Sequence, residues 1–284
     1  MISEFSYGFA LTHELVLSLG PLVAAPIFPS LIEEGRSGGG YDVKLEAPGI
    51  PLFLQFKRSE RLSRSTAREI KAGAPLGVPF FRVGVTARRD SDQHDMLLEL
   101  DEPPNIVLYA APMFHLKEEF DDAFLAGAVR NRSFFVRPGD IGPFDDDGPH
   151  HISFDGATFV VMSKPRVIAG LGASELADLL VKRLEKESRS LRQVLPEAIE
   201  SAERARRASR RHREARADVL DQGVPYVDTS APTALELFVR RQARALPPVA
   251  PPPEVAAENM ELRRLADIGL REFNAQLYIV QRHD

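Results

Sequence analysis

Two alternating segments separated by a Pro/Gly turn constrain the fold of this chain more than any other feature. The segments are Tyr41–Glu46 and Leu52–Lys57, and Ala47–Pro51 (sequence APGIP) joins them. Strict alternation on both sides of such a turn predicts a β-hairpin. Because side chains alternate across a strand, one face of the hairpin would be buried. The residues that we expect on the buried face are Tyr41, Val43, Leu45, Leu52, Leu54 and Phe56.

The other face of the hairpin would carry the polar side chains of Asp42, Lys44, Glu46, Gln55 and Lys57. If the strands pair antiparallel, the Cβ atom of Asp42 would lie roughly 5–8 Å from those of Gln55 and Lys57. A carboxylate and an amide oxygen are ligands that a hard divalent cation prefers. A lysine beside them can orient a water and stabilise charge on a phosphate.

This arrangement resembles the core of the PD-(D/E)XK nuclease superfamily, in a variant in which Gln replaces the second acid. Asp42 followed by Gln55-x-Lys57 inside an apolar strand is also similar to the endonuclease domains of bacterial anti-phage effectors. The chain departs from the family pattern at Tyr41, which stands where the family has Pro, and at Gln55, which lacks one negative charge.

The resemblance implies a role for each residue of the motif. Asp42 would bind Mg²⁺ or Mn²⁺, Gln55 would add a neutral oxygen ligand, and Lys57 would orient or deprotonate the attacking water. A carboxylate on the first helix would complete the metal shell, and Glu14 is the first candidate. Further candidates, in order behind it, are Glu33, Glu34 and Glu46. The activity implied is that of a metal-dependent endonuclease in bacterial defence, acting on double-stranded DNA.

The predicted order of elements agrees with a restriction-endonuclease-like αβββαβ core in an α/β (α+β) fold. Apolar periodicity predicts the elements in this order: a helix over 5–19, strands over 41–46, 52–57 and 80–86, a helix over 91–100 and a strand over 105–110. Ser91 or Asp92 would cap the second helix. We divide the chain into a nuclease-like domain (1–168), a helical region (169–246), a Pro-rich linker (247–257) and a C-terminal amphipathic helix (258–284).

The helical region contains a segment with an unusual charge. Helix is predicted from Ala173 to Leu220, with a break or kink at Pro196. Within it, Arg204–Arg216 has seven arginines and a single Glu. Such a segment can bind nucleic acid or an acidic partner, or it can be a solvated helix or coiled-coil arm. We expect a homodimer, or a complex with a partner protein, through the C-terminal helices.

Composition sets outer limits on the function. The 284 residues are 44% hydrophobic, so a large core can form. The chain has no cysteine, which excludes disulfides, cysteine-based zinc sites and thiol catalysis. No segment reaches the roughly 18 apolar residues of a membrane span, and the first residues do not form a signal peptide. We therefore expect a cytoplasmic protein that does not enter a membrane.

Basic residues are concentrated after the Gln-x-Lys strand, although the net charge is −5. Residues 51–90 contain nine Lys or Arg and three acids. Phosphate contacts from such a cluster would position a duplex without reading its sequence. The residues that we expect to contact nucleic acid are Arg58, Arg61, Arg64, Arg68 and Lys71.

Two other classes of function remain open at this point. A degenerate nuclease fold could bind nucleic acid or a protein without cutting, and the Gln at position 55 favours this alternative. A helical interaction or scaffold protein could carry the hairpin for purely structural reasons. His150 and His151 would point to opposite faces of a strand, which does not suit chelation of one metal. One of them could approach the active site, but a structural or solvent-facing role is favoured for them.

Overall fold

The computed structural model describes residues 2–17, 19–28, 43–86, 91–162, 165–220 and 253–283, with the backbone alone described for 209–220 and 253–259. The helices are α1 Glu4–Leu17, α2 Arg68–Lys71, α3 Gln93–Leu100, α4 Lys117–Leu125, α5 Pro138–Ile141, α6 Ala173–Lys186, α7 Leu191–Leu220 and α8 Pro253–Phe273. The strands are β1 Leu22–Ile27, β2 Ile50–Phe56, β3 Glu60–Leu62, β4 Phe80–Val85, β5 Ile106–Pro112, β6 Ser133–Val136, β7 His150–Phe154, β8 Phe159–Val161, β9 Arg166–Ile168 and β10 Gln276–Arg282. The chain is a mixed α/β protein.

The strands form two five-stranded sheets. In the first sheet the order is β1-β10-β2-β5-β6, and in the second it is β3-β4-β7-β8-β9. Strands β2 and β5 run parallel, with Gln55 opposite Tyr109, and α3 lies in the crossover between them. The other pairings in both sheets are antiparallel.

The first sheet is covered on both faces, and β2 lies at its centre. On one face, Leu52 and Leu54 pack in a cluster with apolar side chains of α1 and α6. On the other face, Phe53 packs in a cluster that includes side chains of α3, α7, α8 and the second sheet. The sequence Ile50–Phe56 is nearly all apolar, as is typical of a strand buried on both sides. The prediction that only one face of this strand is buried is therefore wrong.

The predicted hairpin is wrong over its described part. Residues 43–46 form no strand, and the antiparallel neighbour of β2 is β10, with Leu54 opposite Gln276. Lys44 instead makes two hydrogen bonds to the side chain of Gln281: its N–H donates to Oε1 at 2.9 Å, and its carbonyl accepts from Nε2 at 2.8 Å. Because β10 and β5 occupy both edges of β2, residues 43–46 do not pair with it.

The other local predictions in the first part of the chain are largely confirmed. The helices over 5–19 and 91–100 and the strand over 105–110 form α1, α3 and β5. Asp92 occupies the N-cap position of α3 without a side-chain capping bond, and Ser91 accepts a hydrogen bond from the backbone N–H of Gln93 at 3.2 Å. The strand predicted over 80–86 also forms, as β4, but it pairs with β3 and β7 in the second sheet. The three predicted strands are therefore not consecutive neighbours in one sheet.

The last part of the chain is a helix followed by a strand. Helix α8 ends at Phe273, because Asn274 has a left-handed conformation (φ 49°) and the N–H of Ala275 donates to the carbonyl of Gly269 at 2.9 Å. The prediction of one helix over 258–284 is thus wrong beyond Phe273, where β10 follows. The helix also begins at Pro253, inside the predicted linker. Residues 221–246 of the predicted helical region lie outside the described residues.

The long C-terminal helices pack on the body of the protein. Helix α7 continues through Pro196, and the break falls earlier, at residues 187–190 between α6 and α7. A proline this near a helix start removes one backbone hydrogen bond without ending the helix. Three arginines of the Arg-rich segment form ion pairs within the chain: Arg204 with Glu102 at 3.4 Å, Arg206 with Glu272 at 2.8 Å and Arg207 with Glu203 at 3.7 Å.

Candidate functional site

The candidate site lies where the parallel strands β2 and β5 end. Lys57 directly follows β2, and its N–H donates to the carbonyl of Ala110 at 2.9 Å, which extends the ladder between the two strands. The carboxyl ends of neighbouring parallel strands are a common place for ligand binding in α/β proteins. A cleft of about 390 Å³ opens at this edge, between the start of α1 and the second sheet. Its ionisable side chains include Glu4, Lys57, Glu60, Arg82, His115 and His151.

The amine of Lys57 has an unusual environment. Its Nζ lies 5.6 Å from the centre of the Tyr109 ring. Burial lowers the pKa of Lys57 below its usual value, and the carboxylate of Glu4 opposes this shift. A larger share of the amine is therefore neutral near physiological pH than for a solvated lysine. Ionisable groups shifted by burial and lying in a cleft are candidates for catalysis.

Gln55 is on the same face of β2 as Lys57, but it is fully buried. Its Nε2 donates to the carbonyl of Phe273, at the end of α8, with a distance of 3.2 Å. Gln93 of α3 donates to the same carbonyl at 3.0 Å. Within the described structure, Oε1 of Gln55 has no hydrogen-bond partner. Gln55 thus lies beneath the end of a packed helix and does not line the cleft.

The structure does not bring Glu14 to Lys57. Glu14 is buried on the opposite face of the first sheet, among the side chains of α1. Its two carboxylate oxygens accept hydrogen bonds from the backbone N–H groups of Val129 and Arg130, at 2.8 and 2.7 Å. The carboxylate therefore caps the short 3₁₀ helix Arg130–Arg132, and the first choice for a third metal ligand is wrong for this structure.

The remaining predicted metal ligands are distributed as follows. Asp42, Glu33 and Glu34 lie outside the described residues. Glu46 is in the turn before β2, away from Lys57, and pairs with Arg192 at 2.6 Å. Across the described ranges, no three His, Asp or Glu side chains are grouped so that they could hold a metal ion. These residues alone do not fit a Mg²⁺ site, and Asp42 is the carboxylate on which the prediction of a metal depends.

The motif did not identify the two histidines that line the cleft. His115 lies three residues after β5, and its Nδ1 is 3.0 Å from the carbonyl oxygen of Ser59. His151, on β7, faces Gly84 of β4 in the register of the second sheet. Burial, followed by the charge of Arg82, lowers the pKa of His151. As expected for neighbours on a strand, His150 points the other way and stacks on Phe144 with ring centres 3.6 Å apart. The one sequence signal that could have identified His115 as a site residue is its position shortly after an apolar strand.

The predicted nucleic-acid contacts form an exposed basic surface beside the cleft. It comprises Arg58, Arg61, Arg64, Arg68 and Lys71, all of them exposed. Arg58 also lines the cleft, and Arg61 is 3.6 Å from Glu119. Arg82, deeper in the cleft, pairs with Glu60 at 2.6 Å and with Glu69 at 3.3 Å. The charge of Arg82 within the cleft is therefore compensated by two carboxylates.

None of the helices in the described ranges combines the length and hydropathy that a membrane crossing requires.

Comparison with known proteins adds no further constraint on the site. No protein family, curated protein or solved structure matches this chain.

Proposed function

We propose that this chain hydrolyses phosphodiester bonds of nucleic acid, with double-stranded DNA as the first candidate substrate, in the cleft that Lys57 lines. The observation that carries the proposal is the placement of Lys57: a lysine of lowered pKa at the shared carboxyl edge of β2 and β5. A neutral amine there can accept a proton from an attacking water. After it has gained the proton, its positive charge would stabilise the negative charge of the transition state.

Two further observations support the proposal. The β2-α3-β5 unit, with α1 on the opposite face of the sheet, agrees with the part of the restriction-endonuclease-like core that surrounds Gln-x-Lys. The exposed basic surface from Arg58 to Lys71 lies next to the cleft, where its side chains could hold the phosphates that flank the scissile bond. The setting in bacterial defence remains a prediction from the resemblance alone.

The metal requirement belongs to the same proposal. Mg²⁺ or Mn²⁺ would stabilise the charge of the phosphate and lower the pKa of a bound water. Its carboxylate ligand would be Asp42, because Glu14 already accepts hydrogen bonds from the backbone of residues 129 and 130.

The proposal includes a homodimer, or a complex with a partner protein, formed through the C-terminal helices. In a dimer, only the faces of α7 and α8 that do not pack on each other and the body could take part.

The second candidate function is a nuclease fold that binds nucleic acid without cutting it. The contacts of Gln55 and Glu14 favour this alternative, because both side chains bind backbone groups within the chain. The two candidates share the basic surface and differ in the chemistry at Lys57. Binding alone therefore does not separate them.

Cleavage of supercoiled plasmid tests the proposal. Purified protein is assayed with Mg²⁺, with Mn²⁺ and with EDTA, as wild type, Lys57→Met and Asp42→Ala. Lys182→Met is the matched control, because Lys182 is an exposed lysine on α6, away from the cleft. We expect cleavage by wild type and the control, and loss in the Lys57 and Asp42 variants. Wild-type protein that binds DNA in a salt-dependent manner without nicking it would favour the binding module.

A further inference from the structure

His115 shares an edge of the fold with Lys57 although the motif does not include it. Lys57 follows β2 and His115 follows β5, and these two strands are parallel neighbours. Their carboxyl ends therefore open on the same side, and both side chains line the same cleft. Tyr7, Phe114 and Pro112 supply apolar wall nearby. A phosphodiester whose attacked phosphorus lies near Lys57 would find His115 in the same enclosure.

The contacts of His115 define which ring nitrogen exchanges protons. Nδ1 lies 3.0 Å from the carbonyl oxygen of Ser59, which can only accept a hydrogen bond. Nδ1 therefore carries a hydrogen, and Nε2, on the opposite side of the ring, is the position that gains and loses a proton. Ser59 is two residues beyond Lys57, so the segment that carries the lysine also orients the histidine.

The backbone around His115 is fixed as well. The N–H groups of His115 and Leu116 donate to one carboxylate oxygen of Glu119, at 2.8 and 3.0 Å. These bonds form a cap at the start of α4. A second unused group lies beside the histidine: the hydroxyl of Ser59, a residue only 6% exposed that also lines the cleft, has no hydrogen-bond partner within the described structure. A phosphate oxygen in the cleft would supply one.

We propose that His115 is the general acid of the phosphodiester hydrolysis, an inference that rests on the proposed function. The oxygen of water forms a bond to phosphorus while the bond from phosphorus to the leaving oxygen breaks. The neutral amine of Lys57 takes one proton from the water. Protonated Nε2 of His115 gives its proton to the leaving oxygen, which departs as an alcohol. Lys57 then releases the proton that it gained to solvent, and His115 takes one proton from solvent, so both return to their starting states.

His151 is the competing candidate, and its surroundings disfavour it. Burial and the charge of Arg82 lower the pKa of His151, so less of its imidazole is protonated near neutral pH. Its Nδ1 is buried and has no hydrogen-bond partner in the described part of the chain. His151 therefore lacks the carbonyl contact that orients His115, and it is suited to be a matched control.

The test compares two substrates that differ only in the leaving atom of one phosphodiester linkage. The ends of the plasmid products first show which oxygen leaves. An oligonucleotide duplex is then prepared with either oxygen or sulfur at that bridging position of one linkage. A thiolate departs without needing a proton, so a general acid accelerates the oxygen linkage and contributes little at the sulfur linkage. Cleavage of each linkage is followed for wild type, His115→Gln, His151→Gln and Lys57→Met.

The expected result is specific to proton transfer. His115→Gln should slow cleavage of the oxygen linkage by about 10²–10⁴-fold while changing cleavage of the sulfur linkage only a few-fold, which also shows that the variant is folded. His151→Gln should change both rates by a similar factor, and Lys57→Met should lose both. Equal losses at the two linkages in His115→Gln, or no loss at the oxygen linkage, would overturn the assignment while leaving the proposed function intact. Wild-type protein inert on both linkages and on plasmid would overturn the proposed function and this inference together.

Discussion

The C-terminal strand β10 leads to the most direct test of how this chain is built. Ile279 is fully buried at the centre of β10, opposite Ala25 of β1 and Pro51 of β2, and its side chain belongs to the core cluster beneath α8. If residues 258–284 were an appended helix, truncating this side chain would have little effect on the rest of the protein. In the structure, it opens a cavity in the middle of the first sheet.

The magnitude follows from the atoms removed. Ile279→Ala deletes three carbon atoms, and at about 0.8 kcal/mol each their transfer contributes about 2.4 kcal/mol. The cavity that remains after the substitution raises the expected loss to about 3–4 kcal/mol, within the range of about 2–5 kcal/mol for such changes. Since domains are stable by about 5–15 kcal/mol, this is a large fraction of the total.

Urea unfolding followed by far-UV circular dichroism measures this loss. The matched control is Met260→Ala on α8, because that apolar side chain is 65% exposed and its loss should stay within about 0.5 kcal/mol. A single unfolding transition whose midpoint moves to a much lower urea concentration for Ile279→Ala, and not for Met260→Ala, would agree with the placement of β10 in the first sheet. Equal, small shifts for both variants would refute the placement of β10.

The other predictions concern buried polar groups. Glu14→Gln should cost about 1–3 kcal/mol of unfolding free energy, because two backbone N–H groups lose a charged acceptor. Its cleavage rate per folded molecule should stay unchanged, and a selective loss of metal-dependent cleavage would contradict the capping role. Burial lowers the pKa of His94, so its contribution to stability is full above the ordinary histidine pKa of about 6.5 and is lost as pH falls through that value towards the lowered one. The unfolding free energy should therefore drop between neutral and mildly acidic pH, and an equally large drop in His94→Leu would refute this. Gln55→Glu should destabilise by about 3–5 kcal/mol, as expected for a buried charge without a partner, and Mg²⁺ titration during unfolding shows whether a metal restores it.

Local patterns in the sequence predicted local structure well, because their physical causes are local. Helix α1 and helix α3 show their apolar periodicity within a few turns, and Ser91 marks the start of the second. The apolar run 105–110, bounded by a Pro-Pro break, has the length and composition of a buried strand. Each of these signals lies within the segment itself and does not require knowledge of its partners.

Pairing could not be predicted in the same way, because the partner of β2 comes from the other end of the chain. A strand next to a Pro/Gly turn is expected to pair with the segment across that turn. Here β10 takes that position, with Leu52 opposite Tyr278. The run Leu277–Val280 has the aromatic and β-branched residues that favour strands, and Asn274 before it is a residue that ends helices. Both signals were present in the amphipathic tail, but the apolar spacing of Leu262, Leu265 and Ile268 extends by chance to Leu277.

Position 55 shows why a motif and a fold can demand the same residue for different reasons. The last carbonyls of a helix lack partners within that helix and carry a partial negative charge. Phe273 is the last residue of α8, and its carbonyl accepts hydrogen bonds from the amides of Gln55 and Gln93. A carboxylate at position 55 has no hydrogen to donate and would place a buried negative charge against that helix end. The Gln that departs from the acidic form of the motif therefore has a structural reason of its own. The fold therefore explains the residue type at position 55, and the case for catalysis depends on Lys57 and the cleft beside it.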